Sequence, residues 1–223
     1  MTEDIEPHWT TIAGFISGNS EIFAKIFIKV LAYCSELGLV GGQTFAIDGL
    51  RLPSNASIGL TGTAEELKKK LGVYRKMAER HVAKHRRHDE RGETEKNYQR
   101  QHKHYNRQIE KISVFLETME HREGKRGQEI KSNVTDNDSA MIMSSSGYIQ
   151  GYIGLSVSDS KNQVIISAQA VGSANECEHL PTMIDQRLGN MREAKIKKPK
   201  GTKQTMLADK NYFSEENLKA CEE

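Results

Sequence analysis

The stretch Phe45-Ala46-Ile47-Asp48-Gly49 is a short apolar run that ends on a carboxylate and a glycine. A second run of this form, Met206-Leu207-Ala208-Asp209, lies near the end of the 223-residue chain. An aspartate at the end of a buried strand is held rigidly at the edge of a sheet, and two such aspartates side by side can bind a divalent metal for phosphoryl chemistry. The two runs predict an α/β fold in which Asp48 and Asp209 are candidate catalytic residues and metal ligands.

The sequence between and around these runs predicts further elements of an α/β fold. Residues 147–158 alternate in polarity and residues 164–171 are rich in β-branched residues, so we expect two strands joined by the turn Asp159-Ser160-Lys161-Asn162. Helices are expected over residues 23–37, about 179–191, and from Ser214, a good N-cap, onwards. Residues 122–146 are polar and predict a linker, in which Asp136 and Asp138 would be solvated, as would Asp159 in the turn.

A long helical hairpin is predicted between the first strand and the linker. Thr63 and Glu66 form a capping box at its start. The two halves carry apolar or aromatic positions at alternating steps of four and three, which is typical of an antiparallel coiled coil with a turn at Gly92. The first stripe is Leu67, Leu71, Tyr74, Ala78, His81, His85 and His88, and the second is Tyr98, His102, Tyr105, Ile109, Ile112, Leu116 and Met119.

The composition narrows the class of protein. Hydrophobic residues make up 36% and the mean hydropathy is −0.64, so part of the chain is expected to be a solvated, extended element rather than core. Three widely spaced cysteines form neither a CxxC motif nor a disulfide framework, which suits a reducing compartment. No stretch approaches the ~18 apolar residues of a membrane span. We expect a cytoplasmic protein with no membrane partner.

Two groups of side chains have a functional and a plain interpretation. The lysines of residues 195–203 are a candidate DNA-binding loop, with a flexible surface loop as the alternative. The histidines of the hairpin include i, i+3 and i, i+4 pairs, but no cysteine or carboxylate pattern completes a metal site, so a polar hairpin tip is favoured over structural zinc. The lysines are Lys195, Lys197, Lys198, Lys200 and Lys203.

The ordered motifs resemble a known family. Residues 45–49 followed by Pro53-Ser54-Asn55-Ala56-Ser57, then residues 147–152, then residues 207–217 are similar to three successive motifs of DDE-type transposases from bacterial insertion sequences. The resemblance implies a ribonuclease-H-like catalytic domain that cuts and joins DNA with Mg²⁺ or Mn²⁺. It makes Asp48 and Asp209 metal ligands. The plain alternative for both is a strand-end aspartate that caps a turn.

The chain departs from the family pattern at both ends. The family usually has a longer N-terminal helical region, and this chain is expected to begin inside it. The catalytic glutamate of the family lies well beyond its second aspartate, whereas only residues 210–223 follow Asp209. We therefore expect an incomplete ribonuclease-H-like mixed sheet, with the hairpin inserted and a helical segment in front. The expected parts are residues 1–42 (N-terminal helices), 43–62 (first strand and loop), 63–124 (hairpin) and 125–223 (the remainder of the domain).

Three functions of different class follow. The chain is interpreted as a transposase fragment, inactive alone, whose partners are transposon ends and target DNA. The second hypothesis is a DNA-binding or dimerising regulator of a complete transposase. The third is a structural protein that works through its coiled coil, and a sheet edge left open would favour self-association.

Overall fold

The computed structural model describes residues 6–88, 95–120, 122–124, 127–197, 199 and 201–222. Within these residues the protein is α/β, with six α-helices and a mixed sheet. The helices are α1 (Trp9–Gly18), α2 (Ser20–Glu36), α3 (Ala64–His88), α4 (Glu95–Thr118), α5 (Leu180–Glu193) and α6 (Glu215–Glu222). The strands are β1 (Thr44–Pro53), β2 (Thr61–Gly62), β3 (Ser132–Asn133), β4 (Ala140–Ser144), β5 (Gly147–Asp159), β6 (Ile165–Val171) and β7 (Thr205–Leu207).

The main sheet contains parallel and antiparallel pairs. Its strand order is β4-β5-β1-β7, and β6 also pairs with β5. β1 and β7 are parallel, with Phe45 opposite Met206, whereas β4 and β5 are antiparallel, with Ile142 opposite Ile149. The α/β class predicted from the sequence is confirmed.

Strand β1 is longer than the sequence predicted. The expected strand ended at Asp48, with a loop from Arg51, but β1 runs to Pro53. The apolar positions change phase after Gly49, from Phe45 and Ile47 to Leu50 and Leu52, and the last four residues of the strand are exposed. Proline, which has no N–H to donate, is a reasonable last residue for a strand. Asp48 therefore lies in the middle of β1, so the prediction that it ends the strand is wrong.

The chain divides into two compact units. The first comprises Met1–Leu50, Gly154–Gln169 and Asn175–Glu223, and the second comprises Arg51–Ile153 and Ala170–Ala174. The first unit buries apolar residues of β1, the end of β5, β6 and α5: Phe45, Ile47, Leu155, Val157, Ile166, Leu180 and Met183. Both Asp48 and Asp209 belong to this first unit.

Helices α3 and α4 of the second unit pack along one another in opposite directions. Leu67, near the start of α3, is fully buried against Ile112, near the end of α4. Towards the far end, the ring of His81 stacks on Tyr98 with centroids 4.8 Å apart. The capping box is present, since Thr63 Oγ1 accepts from the Glu66 N–H at 3.3 Å and Glu66 Oε2 accepts from the Thr63 N–H at 3.0 Å. A coiled-coil supertwist stays a prediction, and the expected turn at Gly92 lies outside the described residues.

The predicted linker is wrong over much of its length. It contains β3 and β4, and Asn133 within it is fully buried. The Asn133 amide donates to the Ser57 carbonyl oxygen at 2.9 Å and to Thr61 Oγ1 at 2.8 Å. Asp136 is half-buried and accepts a hydrogen bond from the Tyr152 hydroxyl at 2.7 Å, whereas Asp138 is exposed as expected. Long-range pairing therefore overrides the local polarity of this segment.

Asp159 is not the solvated turn residue that the sequence predicted. It is 1% exposed, and its carboxylate accepts from the Gly41 N–H at 2.9 Å, the Gly42 N–H at 2.7 Å and the Lys161 N–H at 2.9 Å. The three bonds satisfy a buried negative charge, which would otherwise be costly. Asp159 thus fixes the glycine turn that leads into β1.

None of the described helices is long and apolar enough to cross a membrane.

Candidate functional site

The two candidate aspartates follow the paired part of β1 and β7. Ala46 is the last residue of β1 that pairs with β7, and its partner is Leu207. Asp48 and Asp209 each lie two residues beyond this last pair, and extending the register would set them opposite one another. Since neighbouring strands lie about 4.8 Å apart, equal register is the arrangement that lets two carboxylates share one cation. The site is therefore positioned by the β1–β7 pairing.

Both aspartates are exposed and accept local hydrogen bonds. Asp48 Oδ1 accepts from the Gly49 N–H at 2.8 Å. Asp209 Oδ1 accepts from the Lys210 N–H at 2.6 Å, and its Oδ2 accepts from the Asn211 amide at 3.4 Å. These contacts match the turn-capping interpretation. They leave lone pairs on both carboxylates, because each oxygen can accept more than one hydrogen bond.

The charges of both aspartates affect the pKa of the Tyr212 side chain. Its side chain is 4% exposed, and its hydroxyl has no hydrogen-bond partner among the described residues. Burial raises the pKa of the Tyr212 phenol well above its ordinary value, and the nearby negative charges of Glu176, Asp48 and Asp209 raise it further. The phenol therefore stays protonated near neutral pH, and the charges of three acidic side chains reach it.

Glu176 is the residue that sequence reasoning missed. It is half-buried in the segment between β6 and α5, and its charge affects the Tyr212 pKa more than that of either aspartate. No motif marks it, so only the folded chain reveals its place. Among the described residues, no group of three or more histidine, cysteine or acidic side chains is arranged to hold a metal ion. The structure thus brings together a pair of aspartates with an acidic surrounding, rather than a formed metal centre.

The predicted DNA-binding loop is described in part. Lys195, Lys197 and Lys203 are exposed, whereas Lys198 and Lys200 lie outside the described residues. Lys195 adopts φ +56, directly after α5. The backbone of Lys197 packs close to Gly42, whose φ of +72 favours glycine. The loop is therefore anchored at the glycine turn that precedes β1, while its described amines face solvent.

The hairpin histidines pack as aromatic rings. His85 lies 3.6 Å from Tyr98 between ring centroids, and His102 stacks on Tyr98 at 5.6 Å. Ring packing of this kind is sufficient to explain the spacing of these histidines, and the preference for a polar tip over structural zinc stays a prediction.

Comparisons of the chain with models of protein families, with curated proteins and with solved structures find no match. The chemistry open to the site is set by its groups. Two exposed carboxylates that follow the paired part of two parallel strands can coordinate a hard divalent cation together with water. A buried phenol beside them can donate a hydrogen bond but cannot act as a base near neutral pH.

Proposed function

We propose that this chain belongs to the DDE-type transposases of bacterial insertion sequences and that Asp48 and Asp209 hold Mg²⁺ or Mn²⁺. The observation that supports the proposal is the parallel pairing of β1 and β7, since each aspartate lies two residues beyond the last pair, Ala46 and Leu207. The order of the three sequence motifs supports it independently. Under this proposal the mixed sheet is ribonuclease-H-like, and α3 and α4 form an inserted coiled-coil hairpin.

Each residue of the site has a defined task in this mechanism. When bound, the metal ion would stabilise the attacking and leaving oxygens as a DNA phosphodiester is displaced in line. Asp48 and Asp209 supply the negative charge that retains the cation. Tyr212 stays neutral and forms the buried side of the acidic site. With two acidic ligands in this chain, we expect weak metal binding and no strand cleavage by the isolated protein.

Metal binding provides the first test. Mn²⁺ titration followed by electron paramagnetic resonance should show weaker binding for Asp48→Asn and for Asp209→Asn than for the unaltered chain. The matched control is Asp185→Asn, because Asp185 is an exposed aspartate of α5 in the same unit. Equal Mn²⁺ affinity in all four proteins would remove the basis of the proposed metal site. Efficient nicking of plasmid DNA by the unaltered chain would contradict the expected inactivity.

A second candidate function is DNA binding without cleavage, as in a regulator of a complete transposase. The exposed amines of Lys195, Lys197 and Lys203 favour it. Each phosphate contact contributes about 0.9 to the slope of log affinity against log salt. Lys197→Gln should therefore lower the slope by about that amount. Lys25→Gln, at an exposed position of α2, is the control and should leave the slope unchanged. The same slope for all three proteins would rule out Lys197 as a DNA contact.

A further inference from the structure

A cavity opens beside β7 in the first unit. Its volume is about 580 Å³, and it is lined by β1, β7, α5 and α6. Phe45 and Met206 lie on the sheet side, and Ile184 and Leu188 come from α5. The lining thus combines apolar side chains with polar and charged ones in similar measure.

Arg187 is a buried cation in this cavity, and none of the described residues is its acidic partner. It is 6% exposed, and its guanidinium carbon lies 4.3 Å from the centre of the Phe45 ring. One terminal nitrogen donates to Gln204 Oε1 at 3.2 Å, but Nε has no partner among the described residues. Glu222 also lines the cavity, yet no ion pair joins it to Arg187 in the described part of the chain. A buried guanidinium normally forms paired hydrogen bonds with a carboxylate, so Arg187 is short of an acceptor.

Strand β7 has a free edge next to the cavity. The Thr205 N–H donates to the Gln43 carbonyl oxygen at 2.9 Å, so the backbone groups of Thr205 face towards β1. Because these groups alternate along a strand, the N–H and carbonyl of Met206 face the other way. β1 is the sole strand partner of β7 in the part of the chain that the structure describes. An unpaired edge of this kind can accept another strand.

The side chain of Met206, on the free edge strand, and the guanidinium of Arg187 lie on the same face of the sheet. Met206 is opposite Phe45 in the parallel register, so their side chains share a face. The guanidinium of Arg187 lies over the Phe45 ring on that face. A residue of an added strand placed beside Met206 would also point to this face, towards the guanidinium.

We propose that the β7 edge and its cavity bind an extended acidic peptide segment. The peptide adds as a strand beside β7, and its backbone pairs with Met206. One glutamate or aspartate side chain of the peptide enters the cavity and accepts hydrogen bonds from Arg187. Charge complementarity selects an acidic segment, and Lys203 at the cavity margin adds to that preference. The proposal does not depend on metal binding at Asp48 and Asp209.

The experiment uses a fluorescent seven-residue peptide of alternating valine and threonine with a central glutamate, and a second peptide with glutamine in its place. Fluorescence anisotropy with the full chain should show binding of the glutamate peptide, with on the order of tenfold weaker binding of the glutamine peptide, because a hydrogen bond to a charged group is lost. This comparison needs no altered protein, so a failure of any variant to fold leaves the proposal testable.

Protein variants then separate the two contacts. Arg187→Gln should abolish the preference for glutamate over glutamine, whereas Arg192→Gln, an exposed arginine on the same helix, should preserve it. Met206→Pro removes the outward N–H and should weaken both peptides equally. Circular dichroism checks that each variant is folded.

Three outcomes would overturn the proposal: no binding of either peptide, equal affinity for both peptides, or the same loss of preference in the Arg192 control. Sedimentation velocity adds a fourth. In this outcome the chain self-associates, Met206→Pro abolishes the self-association, and the glutamate peptide does not compete with it. The edge would then bind a second copy of the chain, and the acidic-peptide proposal would be overturned.

Discussion

Removing the Asp159 carboxylate should destabilise the first unit by about 3 kcal/mol. The carboxylate accepts three backbone N–H groups, of which the Gly42 N–H is in a buried residue while Gly41 and Lys161 are partly open to water. An orphaned buried donor costs about 1–3 kcal/mol, and a donor that water can reach costs about 0.5–1 kcal/mol. In Asp159→Ala, one buried and two accessible donors give a total of about 3 kcal/mol.

The amide variant refines this prediction. Asp159→Asn keeps the size of the side chain and one acceptor oxygen, but its NH₂ group must face at least one backbone N–H. The expected loss in free energy of unfolding is about 2 kcal/mol, which places the stability of Asp159→Asn between that of Asp159→Ala and that of the unaltered chain. Asp185→Asn is the matched control, because an exposed site should change stability by less than about 0.5 kcal/mol.

Urea denaturation followed by far-ultraviolet circular dichroism measures these differences. The order of stability should be unaltered chain and Asp185→Asn, then Asp159→Asn, then Asp159→Ala. If Asp159→Asn unfolds at the same urea concentration as the unaltered chain, the carboxylate does not hold the glycine turn and the reasoning fails. The turn matters for the site because the Gly42 carbonyl also accepts a hydrogen bond from the Gln204 side chain at 2.9 Å, which ties β1 to the segment before β7.

Three further predictions concern the second unit and a helix of the first. Gly151→Ala should destabilise strongly, because its Cβ would overlap a carbonyl oxygen of β1, whereas Gly189→Ala in α5 meets open space and should stabilise by roughly 0.5–1 kcal/mol in urea melts. Thr63→Ala removes the N-cap bond of α3 and should cost about 1 kcal/mol, while Thr63→Ser should restore most of it. Burial and the Asp136 carboxylate raise the pKa of Tyr152 to about 12, so its contribution to stability is complete below pH 10 and is lost as pH rises towards 12. Tyr152→Phe should flatten the fall in stability over that range, and an unchanged pH profile would contradict it.

The local patterns with a strong period were the most predictable part of the fold. The stripes of the helical hairpin point inward along their described length, from Leu67 and Ala78 on α3 to Ile112 on α4. The capping box and the alternation of β5 were equally readable, because the residues that decide them are neighbours in the chain. Where distant segments decide the outcome, the sequence misled. Asn133 and Asp159 are polar residues in polar stretches, yet both are buried, because segments far away in sequence supply their hydrogen-bond partners.

For the candidate site, local sequence patterns were enough to mark the side chains that can carry the chemistry. They marked Asp48 and Asp209, because a carboxylate after an apolar run is a local pattern. Only the folded chain pairs the strand segments that precede them, since the β1–β7 register joins segments more than 150 residues apart. Only the folded chain places Glu176 near Tyr212 and buries Arg187 without an acid among the described residues. Burial, strand register and the field of distant charges arise only when the chain packs. The hydrophobic period and helix capping, in contrast, depend on residues that are close together in the chain.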